Sequence, residues 1–324
     1  MKLLRMKLHL LLACSLGLTV GVMATPAIAQ SDAPIRLVVP TTAGGPLDVV
    51  ARVLAGAIAR NTKETVFVEN RPGAGGVIGT DYVAKAPPDG RTVLLMSGFV
   101  VTNTVLYKVA YDPMRDLVPV IKLGKASMVM LARKGLEARA PQDLQRAAAA
   151  RRGGLNCGAP PGEMALACEQ LKQALGGAVV TVPYPGVAPA VNALAAGQID
   201  VMLAPYDAAV PWADGERILP IATTGAAPLM APFDRLPQLR ETWPGFVVDG
   251  MIGIMAPAGT PPDVVRRLNR DFALASKDPK MRELMLARGS SVEEDTSPEK
   301  LASALADRLA YYRRLAQSLG LKPE

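Results

Sequence analysis

Ile35-Arg36-Leu37-Val38-Val39-Pro40-Thr41-Thr42-Ala43-Gly44-Gly45-Pro46-Leu47-Asp48 decides how the chain is read. A β-branched and leucine run stops at a proline and passes through a Gly-Gly turn. It then opens a helical pattern in which Leu47, Val50, Leu54 and Ile58 share one face. Strand, glycine turn and helix in that order are the building unit of α/β proteins. Asp48 stands in the first turn of the helix, where a negative charge suits the positive dipole end. Gly44 and Gly45 let the backbone approach a bound group closely. The helix start beyond them presents unpaired N–H groups, so the turn can hold an anion without Lys or Arg.

The same alternation runs outward along the chain. Ile35–Val39, Thr65–Glu69, Thr92–Met96, Met128–Ala132, Val179–Pro183, Val201–Ala204, Ile218–Thr223 and Met251–Ala256 read as strands. Helical stripes separate them and close the chain: Val265, Leu268, Phe272 and Ala275, then Leu301, Leu305, Leu309, Tyr312 and Leu315. Such stripes are core-facing surfaces. Thr260-Pro261-Pro262-Asp263 and Ser297-Pro298-Glu299 mark helix starts. Mostly parallel sheets with right-handed crossovers are therefore predicted. No internal repeat or low-complexity tract interrupts the pattern.

The N-terminal segment reads as an export signal. Lys2, Arg5 and Lys7 precede the apolar run Leu8 to Ala24, and Ala27-Ile28-Ala29 supplies the small residues a signal peptidase requires. Removal of residues 1–29, with cleavage after Ala29, and a periplasmic location are expected. Two other readings compete. A membrane anchor would need about 20 apolar residues, and this run falls short and meets Pro26. A lipoprotein would use Leu11-Leu12-Ala13-Cys14, but the apolar stretch before that cysteine is short and contains His9. Of the 36 Lys and Arg, three leave with the segment, so 33 basic residues face 29 acidic ones, a net +4. These charges are scattered along the sequence. No nucleic-acid face is expected, and the mild positive balance suits a small anionic partner.

His9 is the only histidine of the chain. A mature protein without imidazole has no Ser–His or Cys–His nucleophile pair and no His-ligated metal. Neither a cofactor nor a metal is expected, and the chain does not read as an enzyme. Cys157 and Cys168 are the mature cysteines. In an oxidising compartment they form either a disulfide or two buried thiols. Cys168 reads as mid-helix and Cys157 as a strand end, so geometry decides between the two.

Several segments together resemble a known family. They are Pro34–Pro40 with the Gly-Gly turn and Asp48, then Val68-Glu69-Asn70-Arg71-Pro72-Gly73-Ala74-Gly75-Gly76 with Ile78-Gly79-Thr80. Pro88-Asp89-Gly90, Tyr111-Asp112-Pro113, Val182-Pro183-Tyr184, Gly197-Gln198-Ile199-Asp200 and Ala256-Pro257-Ala258-Gly259-Thr260-Pro261 follow. The chain is thereby similar to the Bug-type receptors of tripartite tricarboxylate transporters over residues 33–320. That resemblance implies an α/β, type II periplasmic-binding-protein fold, with two α/β lobes joined by two crossing strands. It places residues 30–126 plus 250–324 in lobe one and 127–249 in lobe two. It further implies a small carboxylate ligand held in the interlobe cleft, largely by backbone N–H groups of the first strand–helix loop.

By that resemblance the first ligand contacts are Thr41, Thr42, Ala43, Gly44, Gly45, Pro46 and Leu47. Asp48 either caps its own helix or touches ligand. Relatives usually carry an aromatic residue and prolines where this chain has Thr41-Thr42-Ala43. Ser97, Gly98 and Phe99, at the end of a strand, form the second contact, with Asn103 at the start of the next helix. On lobe two, Ala159, Pro160, Pro161 and Gly162 replace a Gly/Ser-rich loop. Glu163 is either a first-turn acid or a carboxylate that meets a ligand ammonium or hydroxyl. Tyr184 and Gly186 flank Pro185, where relatives usually have a basic or polar residue. Tyr206 and Asp207 follow Ala204, where relatives often carry an acid. These departures argue against a polycarboxylate such as citrate.

The sequence thus points to a monomeric receptor for a monocarboxylate or an amino or hydroxy acid, serving the membrane carrier subunits of a tripartite transporter. A ligand-sensing co-receptor for a sensor protein and an exported hydrolase on the same scaffold are the alternatives.

Overall fold

A computed structural model describes residues 33–321 and Pro323, apart from Lys63, residues 226–228, Val247 and Asp249. The expected signal segment, 1–29, lies outside the described residues.

The opening unit folds as its pattern dictates. Ile35–Val39 forms β1, with Ile35, Leu37, Val38 and Val39 fully buried, as suits a central strand covered on both faces. Pro46 starts helix α1, Pro46–Asn61, which buries Val50, Ala51, Leu54, Ala57 and Ile58. Then come β2 (Val66–Asn70), α2 (Val77–Ala84), β3 (Thr92–Met96), α3 (Phe99–Leu106) and the long β4, Leu117–Ala126. After Ser127 the chain enters β5, Met128–Arg133, in a second sheet. That half continues through α4 (Asp143–Ala149), β6 (Leu155–Ala159), α5 (Glu163–Ala174), β7 (Val179–Pro183), α6 (Val187–Ala195) and β8 (Val201–Pro205). The short α7 (Tyr206–Ala209), β9 (Ile218–Thr223) and the one-turn α8 (Leu239–Thr242) complete it. β10, Gly250–Pro257, returns to the first sheet, and α9 (Pro262–Ser276), α10 (Pro279–Ala287) and α11 (Pro298–Leu319) pack on that half.

The two sheets have the orders β2-β1-β3-β10-β4 and β7-β6-β8-β5-β9. This is the two-lobed α/β architecture expected. The sheets are mixed, however, and not mostly parallel. β1 pairs in parallel with β2 and β3, and β6 does so with β7 and β8. β10 is antiparallel to β3 and β4, and β5 is antiparallel to β8 and β9. The antiparallel strands are those whose chain has just crossed from the other sheet. A strand entering from the far lobe need not obey the direction that βαβ crossovers impose.

β4 and β6 lie outside the strands read from sequence. β4 carries Pro119, Lys122, Gly124 and Lys125 among its apolar residues, and β6 reads Leu-Asn-Cys-Gly-Ala, so both lack a run of β-branched residues. Cys157 consequently sits mid-strand rather than at a strand end. A disulfide joins it to Cys168 in α5, with Cα atoms 5.7 Å apart and a sequence separation of 11. Because α5 packs on β6, its inward face comes within bonding reach of the strand. A loop this short is worth roughly 2–3 kcal/mol in the chain-entropy view. It anchors α5, and with it Glu163 at the helix start.

Candidate functional site

A cavity of about 350 Å³ opens where the chain crosses between the sheets. Its floor is the crossing itself, Ala126, Ser127 and Met128 on one strand and Gly250 and Ile252 on the other. From the first lobe come Thr41, Thr42, Gly45, Pro46 and Leu47 of the opening turn, together with Ser97 and Phe99. The second lobe contributes Pro160, Pro161 and Glu163, then Gly186, then Tyr206 and Asp207. Thus residues chosen from five separate segments converge on one cleft.

Other candidates stand off the cavity. Asp48, 2 % exposed, accepts from the Gly44 N–H (2.9 Å) and from Arg52 Nε (2.9 Å). The Arg52 guanidinium, with the Gly44 amide, holds the Asp48 carboxyl below its usual range. Gly44 itself has φ +78°, a conformation glycine adopts at no steric cost. Asn103 lies inside α3, not at its start, and its Nδ2 donates to the Gly75 carbonyl (2.9 Å). That bond holds Gly75 at the cavity wall. Ala43, Gly98, Ala159, Gly162 and Tyr184 are likewise outside the lining.

The turn also spends part of its backbone on itself. The Gly44 N–H goes to Asp48, and the Gly45 N–H donates to the Thr42 carbonyl (3.2 Å). What it turns toward the cavity is Thr41, Thr42 and the helix start at Pro46 and Leu47. Thr41 Oγ1 is buried and has no hydrogen-bond partner among the described residues. Across the cleft Glu163, 6 % exposed, leaves Oε1 in the same condition. Burial pushes the Glu163 carboxyl up, against a smaller opposing pull from its own backbone N–H and from Arg308. Buried polar atoms without partners are rare in folded proteins, and each needs an explanation. Here two of them belong to residues that line the same cavity.

The lobes meet around this cavity in a closed arrangement. Glu163 presses against Gly98 so closely that a Cβ there would stand 1.8 Å from Glu163 Oε1. A Cβ on Gly75 would lie 3.3 Å from Pro161 Cβ. On the other flank Arg288, just beyond α10, forms a salt bridge with Asp207 in α7. The Tyr206 hydroxyl donates to the Ala231 carbonyl (2.8 Å), and the ring stacks edge-on to Phe233 at 5.4 Å. Tyr206 therefore offers the cleft its ring.

Sequence reasoning missed Arg288 and most of the apolar wall. Val50, Met128, Met164, Val187 and Ile252 all line the cavity. Val50 was legible as one position along the face of Leu47. Arg288 was not, because nothing in its local sequence separates it from other helix-end arginines.

The sequence model of the tripartite tricarboxylate transporter family receptors matches residues 50–321. The chain belongs to this receptor family. Three solved structures resemble the receptor. The periplasmic binding protein BugD is 32 % identical, with a TM-score of 0.78, covering 90 % of this chain and 99 % of its own. MatC from Rhodopseudomonas palustris, with bound malate, is 28 % identical, with a TM-score of 0.76 over 87 % and 98 %. Rpa4515 of R. palustris, with adipate, is 28 % identical, with a TM-score of 0.78 over 90 % and 98 %. The receptor thus shares its two-lobed fold with all three, of which MatC holds malate and Rpa4515 adipate.

Proposed function

We propose that the protein is a periplasmic receptor for a monocarboxylate with a largely apolar body, which it delivers to the membrane carrier of a tripartite transporter. Residues 1–29 are removed on export, residues 30–126 with 250–324 act as one lobe, and 127–249 act as the other. The sheet membership of β4, β5 and β10 supports that division.

One observation carries the choice of a single carboxylate. Arg288 is the one cation lining the cavity among the described residues, and Asp207 already neutralises it. Glu163 adds no positive charge. A second ligand carboxylate would therefore enter a partly buried site with no free cation, at a desolvation cost nothing offsets. One carboxylate can be met by the Thr41 hydroxyl and the start of α1, where helix-end N–H groups favour an anion. Phe99, Met128, Met164 and Ile252 then cover the apolar body. An amino or hydroxy acid fits the same scheme, its ammonium or hydroxyl facing the orphan oxygen of Glu163.

A thermal-shift screen of carboxylates against the mature protein tests this, because a ligand bound to the folded state raises its melting point by mass action. Stabilisation by apolar monocarboxylates is expected. Silence across all acids, with a response to sugars or amines, would overturn it.

A further inference from the structure

The cleft does not absorb all the charge gathered at the crossing strands. A second cavity of about 370 Å³ borders Gly250, which also borders the cleft. Its walls are the edge strand β4 and one face of α11. Lys122 and Lys125 project from the strand, and Lys300 and Arg308, two helical turns apart, project from the helix. Cations that look scattered along the sequence are thus brought to one concavity.

Their neutralisation is incomplete. Lys122, whose side chain is 3 % exposed, pairs with Glu293. Asp295 stands near Lys300 and Lys122, and Asp307 is the acidic residue of the lining. Among the described residues neither Lys125 nor Lys300 forms a salt bridge. Among the described lining residues, Lys125 and Lys300 thus carry charge that no salt bridge takes up, beside one acid, Asp307, with Glu293 and Asp295 set behind. Concave surfaces of one sign concentrate counter-ions, and lysine is well suited to a compact anion approached from several directions.

We infer that this cavity is a second ligand site, which takes a compact multivalent oxyanion of the phosphate or polycarboxylate type. It spans a place where the lobes touch. The Tyr311 hydroxyl in its wall lies 2.9 Å from Gln170 Oε1 and 3.0 Å from the Gly245 carbonyl, both in the half of the chain built on the second sheet. Arg308, which lines it, also acts on the Glu163 carboxyl in the cleft. The inference does not depend on which acid the cleft holds.

Calorimetric titration of the mature protein at low salt tests it, with inorganic pyrophosphate and citrate in separate arms so that the tighter binder names the chemistry. One-to-one saturable binding of at least one of them is expected. The double variant Lys125→Ser/Lys300→Ser should weaken it by about tenfold or more, while Arg288→Ala in the cleft should leave it in place. No saturation in the wild type up to about 1 mM of either anion would overturn the inference. So would binding that survives the lysine substitutions, or binding that disappears with Arg288→Ala, since the anion would then sit in the cleft.

Discussion

Asp207 and Arg288, 81 residues apart in sequence, form a salt bridge across the mouth of the cleft. One belongs to the half built on the second sheet, the other follows a helix packed on the first. The pair closes one flank of the cavity and at the same time occupies the cation a second ligand carboxylate would need.

Asp207→Asn follows directly from this. Freed of its partner, Arg288 becomes available to a ligand, and charge-assisted hydrogen bonds are among the stronger ones. Affinity for dicarboxylates such as adipate should rise by about tenfold or more, with monocarboxylate binding little changed. Calorimetric titration of the variant reads this. An unchanged adipate affinity would mean that Asp207 does not control ligand charge.

Thr41→Val keeps the shape of the side chain and removes a hydroxyl that has no partner among the described residues. Ligand affinity should fall by about tenfold, the usual scale of one hydrogen bond. The melting temperature of the ligand-free protein should hold or rise, since an unsatisfied buried group is lost. A lower melting temperature with unaltered binding would assign Thr41 to folding alone.

Gly98→Ala addresses closure. The added methyl would collide with the Glu163 carboxylate, so the two lobes could not meet as they do here. Weaker ligand binding and a larger radius of gyration in the presence of ligand are expected from small-angle scattering. The double variant Gly98→Ala/Glu163→Ala removes the collision and should restore compaction. Compaction of the single variant equal to wild type would show that this contact does not govern closure.

Glu163 also sets a pH dependence whose sign is fixed. Its carboxyl is raised from the ordinary 4.5 by burial in the folded protein, so the folded state holds the proton more tightly than the unfolded chain. Stability should therefore fall as pH rises from about 4.5 through the raised value, and then level off. Glu163→Gln removes this contribution, so the melting temperature of the wild type should fall relative to that of the variant as pH rises through that window. A difference independent of pH would contradict the burial of the carboxyl.

Much of this molecule is readable before folding, and the part that is not has physical causes. The unit Ile35–Asp48 is local: strand, turn and helix each carry their own signal, and the cavity forms where that turn ends. Pro160, Pro161 and Glu163 were named only through the family resemblance, which implies a ligand loop before that helix, because the strand leading into it carries no strand signal. The direction of β5 and β10 was hidden, because crossing between lobes leaves no mark in residue pattern. β4 escaped because Pro119, Lys122, Gly124 and Lys125 interrupt its apolar run. Arg288 could be found only by bringing distant segments together. Its pairing with Asp207 sharpens the doubt about polycarboxylates that Pro185 and Glu163 had already raised.

The most direct test of the account is a paired calorimetric titration of wild-type mature protein with hexanoate and adipate, which differ only in the second carboxylate. Saturable one-to-one binding of hexanoate, with adipate weaker by about tenfold or more, is the predicted result. Adipate bound as tightly as hexanoate, or more tightly, would contradict the claim that this cleft has one anion seat and no free cation for another.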